Sequence, residues 1–119
     1  MYGSTDKLYD LTTIYAISDN NPQFLEKLLL IFADNVNSDL QLLKQAANAG
    51  DWHEVGQLAH KMKPSLNHFG VTSVKDVILG LEHSENYEYR HITFLISELE
   101  RVISEVLLGL KTEFPVIFN

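Results

Sequence analysis

The segment RHITFLISELERVISEVLLGLK, Arg90 to Lys111, decides the fold class of this chain. Its apolar residues recur every three or four positions, which places them along one side of an α-helix. They are Ile92, Leu95, Ile96, Leu99, Val102, Ile103, Val106 and Leu110. A helix with one apolar stripe must bury that stripe, so the remainder of the chain has to supply packing partners.

A second long helix is predicted near the other end of the chain. Asn21 is a good N-cap residue, and Pro22 suits the first helical position. The helical pattern then continues to Ala49, which corresponds to about seven turns, and Gly50 suits the C-terminal cap. Its apolar residues are Leu25, Leu28, Leu29, Phe32, Val36, Leu40, Leu43 and Ala47.

Two further helices are predicted between these long ones. Asp51, with Glu54 three residues later, forms a variant of the capping box and begins a helix that ends at Gly70. The narrow apolar seam of this helix consists of Trp52, Val55, Ala59, Met62, Leu66 and Phe69. Thr72 or Ser73 is expected to cap the next helix. Its buried side would consist of Val74, Val77, Ile78 and Leu81.

Both ends of the chain lie outside the four main predicted helices. Residues 1–7 are expected to form a loose terminus, Leu8 to Ile17 a short helix, and residues 113–119 an extended tail that packs against the bundle or an interface. Short connections make consecutive helices antiparallel. The sequence therefore predicts a single all-α domain over residues 1–119, with a helical core over 8–112. The expected fold is an antiparallel up-down-up-down four-helix bundle with an additional short N-terminal helix.

The composition restricts the function. The chain has no cysteine, which excludes disulfides and cysteine nucleophiles and favours the cytoplasm. A net charge of −7 argues against nucleic acid as a partner, because phosphate binding needs clustered Lys and Arg. The first ten residues lack the basic and then apolar layout of a signal peptide, and no apolar run is long enough to span a bilayer. We expect a cytoplasmic monomer that does not insert into membranes.

Metal and enzyme signatures are weak. A di-iron bundle needs two Glu-x-x-His motifs that face the core, and only Glu88 to His91 has this spacing. His53 and His60 lie about 10 Å apart along one helix, too far to share a zinc ion. There is no nucleophile elbow, phosphate-binding loop or kinase signature. We therefore predict no metal site and no cofactor of the protein's own.

The polar face of the helix between Asp51 and Gly70 is the best candidate for a functional site. An exposed neutral imidazole is a competent nucleophile, and His60 points outward on this face. Lys63 lies one turn later, where its ammonium can reach an anion carried by the imidazole. The candidate supporting or docking residues are Gly56, Gln57, Lys61, Pro64 and Asn67. Neither Gly56 nor Pro64 has a long side chain, so a partner could approach the ring closely.

At these residues the sequence resembles a known family. The stretch AHKMKPSLNHFG is similar to the signature of histidine-containing phosphotransfer (HPt) domains, an Ala-His pair followed by an apolar residue, a lysine, a glycine, small residues and a later glycine. The matching positions are Ala59, His60, Met62, Lys63, Ser65, Phe69 and Gly70. GDW at 50–52 and Leu81-Glu82 also lie where such domains often have them. The resemblance covers roughly residues 8–112.

The resemblance implies a role in a multistep phosphorelay. His60 would accept a phosphoryl group from a receiver-domain aspartate and donate it to another, and Lys63 would help to hold the group. The receiver domains of response regulators, including those of hybrid sensor histidine kinases, would be the partners and would supply Mg²⁺. The protein would thus be a carrier rather than an enzyme. The alternatives are a non-catalytic helical adaptor that docks a partner through the same face and, less well supported, an ATP-dependent histidine kinase.

One position departs from the pattern, because Pro64 stands where glycine is most frequent. Proline has no N–H to donate to the carbonyl of His60, and its ring crowds that carbonyl. We therefore predict a bend at this turn that tilts His60 and Lys63 outward.

Overall fold

The computed structural model describes residues 7–118, and these form five α-helices. Along the described chain, α1 spans Thr12–Ser18, α2 Pro22–Asn48, α3 Trp52–His68, α4 Lys75–Glu82 and α5 Tyr89–Glu113, with a 3-10 turn at Ser84–Asn86. Helix α2 packs on α3 and α5, α4 packs on the same two helices, and α1 packs on α2. This closed arrangement confirms the predicted antiparallel four-helix bundle with a short additional N-terminal helix. Residues 7–118 contain no strand.

The predicted ends of the long helices are largely confirmed. The Asn21 side chain accepts a hydrogen bond from the backbone N–H of Phe24, and Asp51 accepts one from that of Glu54. Gly50 and Gly70 follow α2 and α3 with φ of +69° and +66°, a conformation that glycine adopts without steric cost. The predicted capping by Thr72 or Ser73 is wrong, because α4 begins after Val74 without a side-chain cap.

The N-terminal helix is shorter than predicted. It begins at Thr12 instead of Leu8, because Asp10 accepts hydrogen bonds from both the backbone N–H and the hydroxyl of Thr12. These bonds lower the pKa of Asp10. The preceding residues run as a non-helical segment whose Tyr9 and Leu11 are buried in the core. The backbone N–H of Asp10 donates to the carbonyl of Phe69, which ties this segment to the end of α3.

The C-terminal tail is turned, not extended as predicted. Helix α5 continues to Glu113, and the backbone N–H of Ile117 then donates to the carbonyl of Phe114. Phe114, Ile117 and Phe118 are partly buried against the core, so the expected packing of the tail on the bundle is confirmed. The helical core thus spans 12–113 instead of 8–112. The predicted loose terminus falls mostly on residues 1–6, which, like 119, lie outside the described residues.

The core contains nearly all the apolar residues that the helical patterns select. All eight stripe residues of α5 are buried, as are five of the six seam residues of α3, while Trp52 is half-buried. The rings of Phe32 and Phe69 stack at 3.9 Å and join α2 to the end of α3. Because this seam fixes the rotation of α3, the opposite side of the helix is directed to solvent.

Candidate functional site

The outer face of α3 presents His60 to solvent. Its side chain is 76% exposed, as expected from the helical position opposite the seam. Nδ1 of His60 lies 2.8 Å from Oε2 of Glu82, at the last residue of α4. One ring nitrogen is therefore engaged by the bundle, and the other remains for an incoming reactant.

This contact determines the tautomer of the imidazole. An ionised carboxylate can only accept hydrogen bonds, so the proton of the neutral ring must be on Nδ1. Nε2 of His60 then carries the free lone pair and is the nucleophilic atom. The side chain of Glu82 is only 13% exposed, so the group that orients the ring is itself held by its surroundings.

Lys63 shares the same carboxylate. Its Nζ lies 2.9 Å from Oε1 of Glu82, as an ion pair that is not aligned for a regular hydrogen bond. Glu82 therefore bridges His60 and Lys63, which lie one turn apart on α3. The ammonium group is thus held close to the imidazole in the absence of any bound anion.

The carboxylate of Glu82 stays ionised well below neutral pH. Its partial burial alone would raise its pKa, but the contacts with Lys63 and His60 outweigh this effect, and the net shift of the pKa is downward. A negative charge in this position favours the Nδ1–H tautomer of the neutral His60 ring.

Gly56 determines how closely α4 approaches α3. A Cβ atom at this position would lie 3.1 Å from the backbone carbonyl oxygen of Glu82. That distance is shorter than a normal van der Waals contact between carbon and oxygen, so a larger residue at position 56 would displace the end of α4. The glycine thereby permits the approach that places the Glu82 carboxylate beside His60. Close approach of a partner over Gly56 stays a prediction.

The structure places the other predicted site residues in different surroundings. Gly56 and Gln57 line an open depression of about 430 Å³ together with His60. Asn67 instead lines a separate groove that also includes Lys63, and Pro64 is exposed. The fifth predicted supporting residue, Lys61, points toward α2.

The ammonium group of Lys61 is paired with a buried carboxylate. Nζ of Lys61 lies 2.9 Å from Oδ1 of Asp39, whose side chain is almost fully enclosed. This ion pair joins α3 to α2 on the flank away from α4. The positive charge that the sequence suggested beside His60 is therefore largely neutralised by Asp39.

Pro64 lies within α3, and the helix continues through it to His68. Proline supplies no N–H, so the carbonyl of His60 lacks its usual partner four residues later. The helix tolerates this loss where the face is open to water, as it is here. The predicted tilt of His60 and Lys63 stays a prediction.

Sequence reasoning assigned no role to Glu82 or Asp39. Each is 22 residues from its partner on α3, and no local pattern links positions so far apart. The resemblance marked Leu81-Glu82 only as a matching pair.

Neither a metal cluster nor a membrane span is found among residues 7–118. No three His, Cys, Asp or Glu side chains in this part of the chain are placed to hold a metal ion. The helices described there are also not both long and apolar enough to cross a bilayer.

An exposed histidine oriented by a carboxylate thus lies on α3, the second of the four helices of the bundle. The comparison with protein families identifies the class to which this chain belongs. The family model for the Hpt domain matches residues 27–105, well over half of the chain, and the chain belongs to that family. Helix α1 and the C-terminal tail lie outside the match. No curated protein and no solved structure matches the chain significantly. Hpt domains have a general role in phosphorelays, as histidine phosphotransfer carriers that interact with receiver domains.

Proposed function

We propose that His60 is the phosphoacceptor of this Hpt domain in a two-component phosphorelay. The observation that carries the proposal is the bridge made by Glu82, which binds Nδ1 of His60 and Nζ of Lys63 at 2.8 and 2.9 Å. The other histidines of the described chain lack this arrangement. His83, for example, directs its Nδ1 to the carbonyl of Leu79.

The transfer step uses the free lone pair of His60. Nε2 attacks the phosphorus of an aspartyl phosphate on a receiver domain, the Nε2–P bond forms, and the acyl O–P bond breaks. The receiver's aspartate leaves as a carboxylate. The ring keeps its Nδ1 proton and becomes cationic, and the adjacent Glu82 carboxylate stabilises this charge. The reverse reaction donates the phosphoryl group to a second receiver.

Lys63 completes the site for the product. When Nε2 carries a phosphoryl group, its dianionic oxygens compete with Glu82 for the ammonium of Lys63. Lys63 then contacts the phosphoryl group while Glu82 retains the Nδ1–H of His60. Mg²⁺ and the remaining transfer chemistry belong to the receiver, so this chain acts as a carrier and needs no cofactor of its own.

Phosphoryl transfer from a purified receiver domain tests the proposal. A panel of receivers from the source genome is phosphorylated with labelled acetyl phosphate, freed of donor and mixed with the wild-type chain. We expect at least one receiver to transfer label that is acid-labile and alkali-stable. The variant His60→Gln should accept none, whereas His53→Gln, which replaces another exposed histidine of α3, should be labelled normally.

Two results would contradict the proposal. Label that persists in His60→Gln would assign the phosphoacceptor elsewhere. Absence of label in the wild type, together with full partner binding and signalling output in His60→Gln, would identify a non-catalytic adaptor instead.

A further inference from the structure

A buried serine lies close behind the carboxylate that orients His60. Ser84 is the first residue of the 3-10 turn that follows α4, two positions after Glu82, and it has no exposed surface. In the described chain it is one of three buried polar residues, with Ser18 and Asp39. An apolar side chain could fill such a position, so the hydrogen bonds of the hydroxyl are the feature to explain.

The Ser84 hydroxyl reaches two backbone carbonyls on different helices. Its Oγ lies 2.7 Å from the carbonyl oxygen of Leu81 in α4 and 3.3 Å from that of Trp52, the first residue of α3. A hydroxyl has one proton, so the bond to Leu81 is the stronger and the contact with Trp52 is a weaker second branch. Carbonyls in the last turn of a helix have no partner within the helix, and the hydroxyl satisfies one of them. Ser84 thus ties the end of α4 to the start of α3.

The backbone of Glu82 lies between this tie and Gly56. The carbonyl oxygen of Glu82 is so close to α3 that a Cβ at position 56 would lie 3.1 Å from it. The preceding residue, Leu81, is completely buried. The end of α4 is therefore fixed on both sides, and its carboxylate reaches His60 and Lys63 from a determined position.

We propose that Ser84 is a positioning residue for phosphoryl transfer, which acts through Glu82 and does not touch the phosphoryl group. The inference rests on the proposed function. Without the hydroxyl, the Leu81 carbonyl would lose its short bond in a site closed to water, and the end of α4 would move to regain a partner. A shift of a fraction of an ångström would weaken the 2.8 Å bond between Glu82 and Nδ1 of His60. Fewer molecules would then present the lone pair of Nε2 to the receiver.

Two buried serines form a matched pair for the test. Ser84→Ala removes the hydroxyl and adds no bulk. Ser18→Ala is the control, because Ser18 is also buried, and its hydroxyl donates to the carbonyl of Tyr15, three residues earlier, at 3.1 Å. Ser18 is the last residue of α1, which carries none of the proposed site residues. Each variant is measured for urea unfolding, for the Nδ1–H population of His60 by nitrogen NMR, and for the rate of transfer from the receiver that labels the wild type.

We expect Ser84→Ala to lower the Nδ1–H population of His60 and to slow transfer by about threefold to tenfold, less than Glu82→Ala does. Ser18→Ala should match the wild type in both measurements, although both alanine variants lose some stability. The double variant, Ser84→Ala combined with Glu82→Ala, separates positioning from other effects. A residue that acts only through Glu82 has no further effect once the carboxylate is gone, so the double variant should transfer at the rate of Glu82→Ala alone.

The positioning role would be overturned by a wild-type tautomer population or a wild-type transfer rate in Ser84→Ala. An equal decrease of rate in Ser18→Ala would reduce the effect to general destabilisation. A double variant that is clearly slower than Glu82→Ala would show that Ser84 acts by a route other than Glu82.

Failure of this inference can be distinguished from failure of the proposed function. If the wild type and Ser84→Ala accept label from a receiver at the same rate, His60 remains the phosphoacceptor and only Ser84 loses its role. If no receiver labels the wild type, the proposed function fails, and the role of Ser84 in transfer fails with it.

Discussion

Glu82 accepts a hydrogen bond from Nδ1 of His60 at 2.8 Å, across 22 residues of sequence and between two helices. Because the same carboxylate pairs with Lys63, one side chain fixes both the tautomer of the imidazole and the position of the nearest ammonium group. The relationship explains why an exposed histidine, normally free to rotate, is held with one nitrogen toward solvent. It also gives Glu82 a positioning role that can be measured separately from its contribution to stability.

Replacement of Glu82 by alanine should slow phosphoryl transfer more than replacement by glutamine. The alanine variant removes the acceptor for Nδ1–H, whereas the amide oxygen of glutamine retains it. Loss of an orienting partner of histidine commonly costs 10- to 100-fold, as measured in metal sites, and we expect a decrease of roughly tenfold or more for Glu82→Ala. Nitrogen NMR of the imidazole provides an independent readout, because the Nδ1–H population of His60 should fall in Glu82→Ala and stay high in Glu82→Gln. Equal tautomer populations in all three proteins would contradict the positioning role.

The contribution of Glu82 to stability should disappear in acid. The pKa of Glu82 is lower in the folded chain than in the unfolded one, so its stabilising effect is present above the unfolded value, about 4.3, and is lost as the pH falls through the folded value. Urea unfolding of wild type and Glu82→Gln between pH 5.5 and pH 2.5 should therefore show a difference in unfolding free energy that shrinks as the pH falls. A difference that is independent of pH would refute the linkage.

Lys63→Ala should weaken phosphorylation with little effect on the fold. The Lys63 side chain is 44% exposed, so its ion pair with Glu82 contributes at most about 1 kcal/mol to stability. Loss of the ammonium that shares the Glu82 carboxylate should lower the yield of phosphohistidine after receiver transfer by several-fold. Lys111→Ala, in the last turns of α5, is the matched control and should be labelled like the wild type. A normal yield in Lys63→Ala would exclude a phosphate-stabilising role.

Lys61 and Asp39 should affect stability unequally. Lys61→Ala leaves the buried Asp39 carboxylate without its partner, which we expect to cost about 2–4 kcal/mol. Asp39→Asn removes the buried charge together with the ion pair, and the exposed Lys61 remains hydrated, so the loss should be about 1 kcal/mol. Thermal and urea unfolding of the two variants measure the difference.

Gly70→Ala and Gly50→Ala form a second matched pair. Both glycines have φ near +67°, so alanine costs about 1 kcal/mol in either position. Only at Gly70 would the new Cβ collide with a neighbour, the backbone nitrogen of Asp10 at 2.5 Å. We therefore expect Gly70→Ala to lower the unfolding free energy by about 2–4 kcal/mol and Gly50→Ala by about 1 kcal/mol. Similar losses for the two variants would show that the segment around Asp10 is not held against the end of α3.

Local sequence determined most of the fold. Helical spacing of apolar residues selected the buried side of α2, α3 and α5, because a helix can turn only one stripe to the core. The cap at Asn21 and the glycines at 50 and 70 marked helix ends through backbone chemistry that acts within a few residues. The same seam predicted that His60 faces outward, one turn from Lys63, and this placement is confirmed.

Tertiary structure alone decided the partners of these side chains. The backbone N–H of Asp10 donates to the carbonyl of Phe69 at the end of α3, and the aromatic tail packs in a turn on the core instead of remaining extended. Glu82 and Asp39 reach α3 only after the helices pack, because hydrogen bonds and ion pairs depend on distance in space rather than spacing along the chain. Sequence periodicity thus determined that His60 faces solvent. Packing of α4 against Gly56 decided which nitrogen of His60 the Glu82 carboxylate engages.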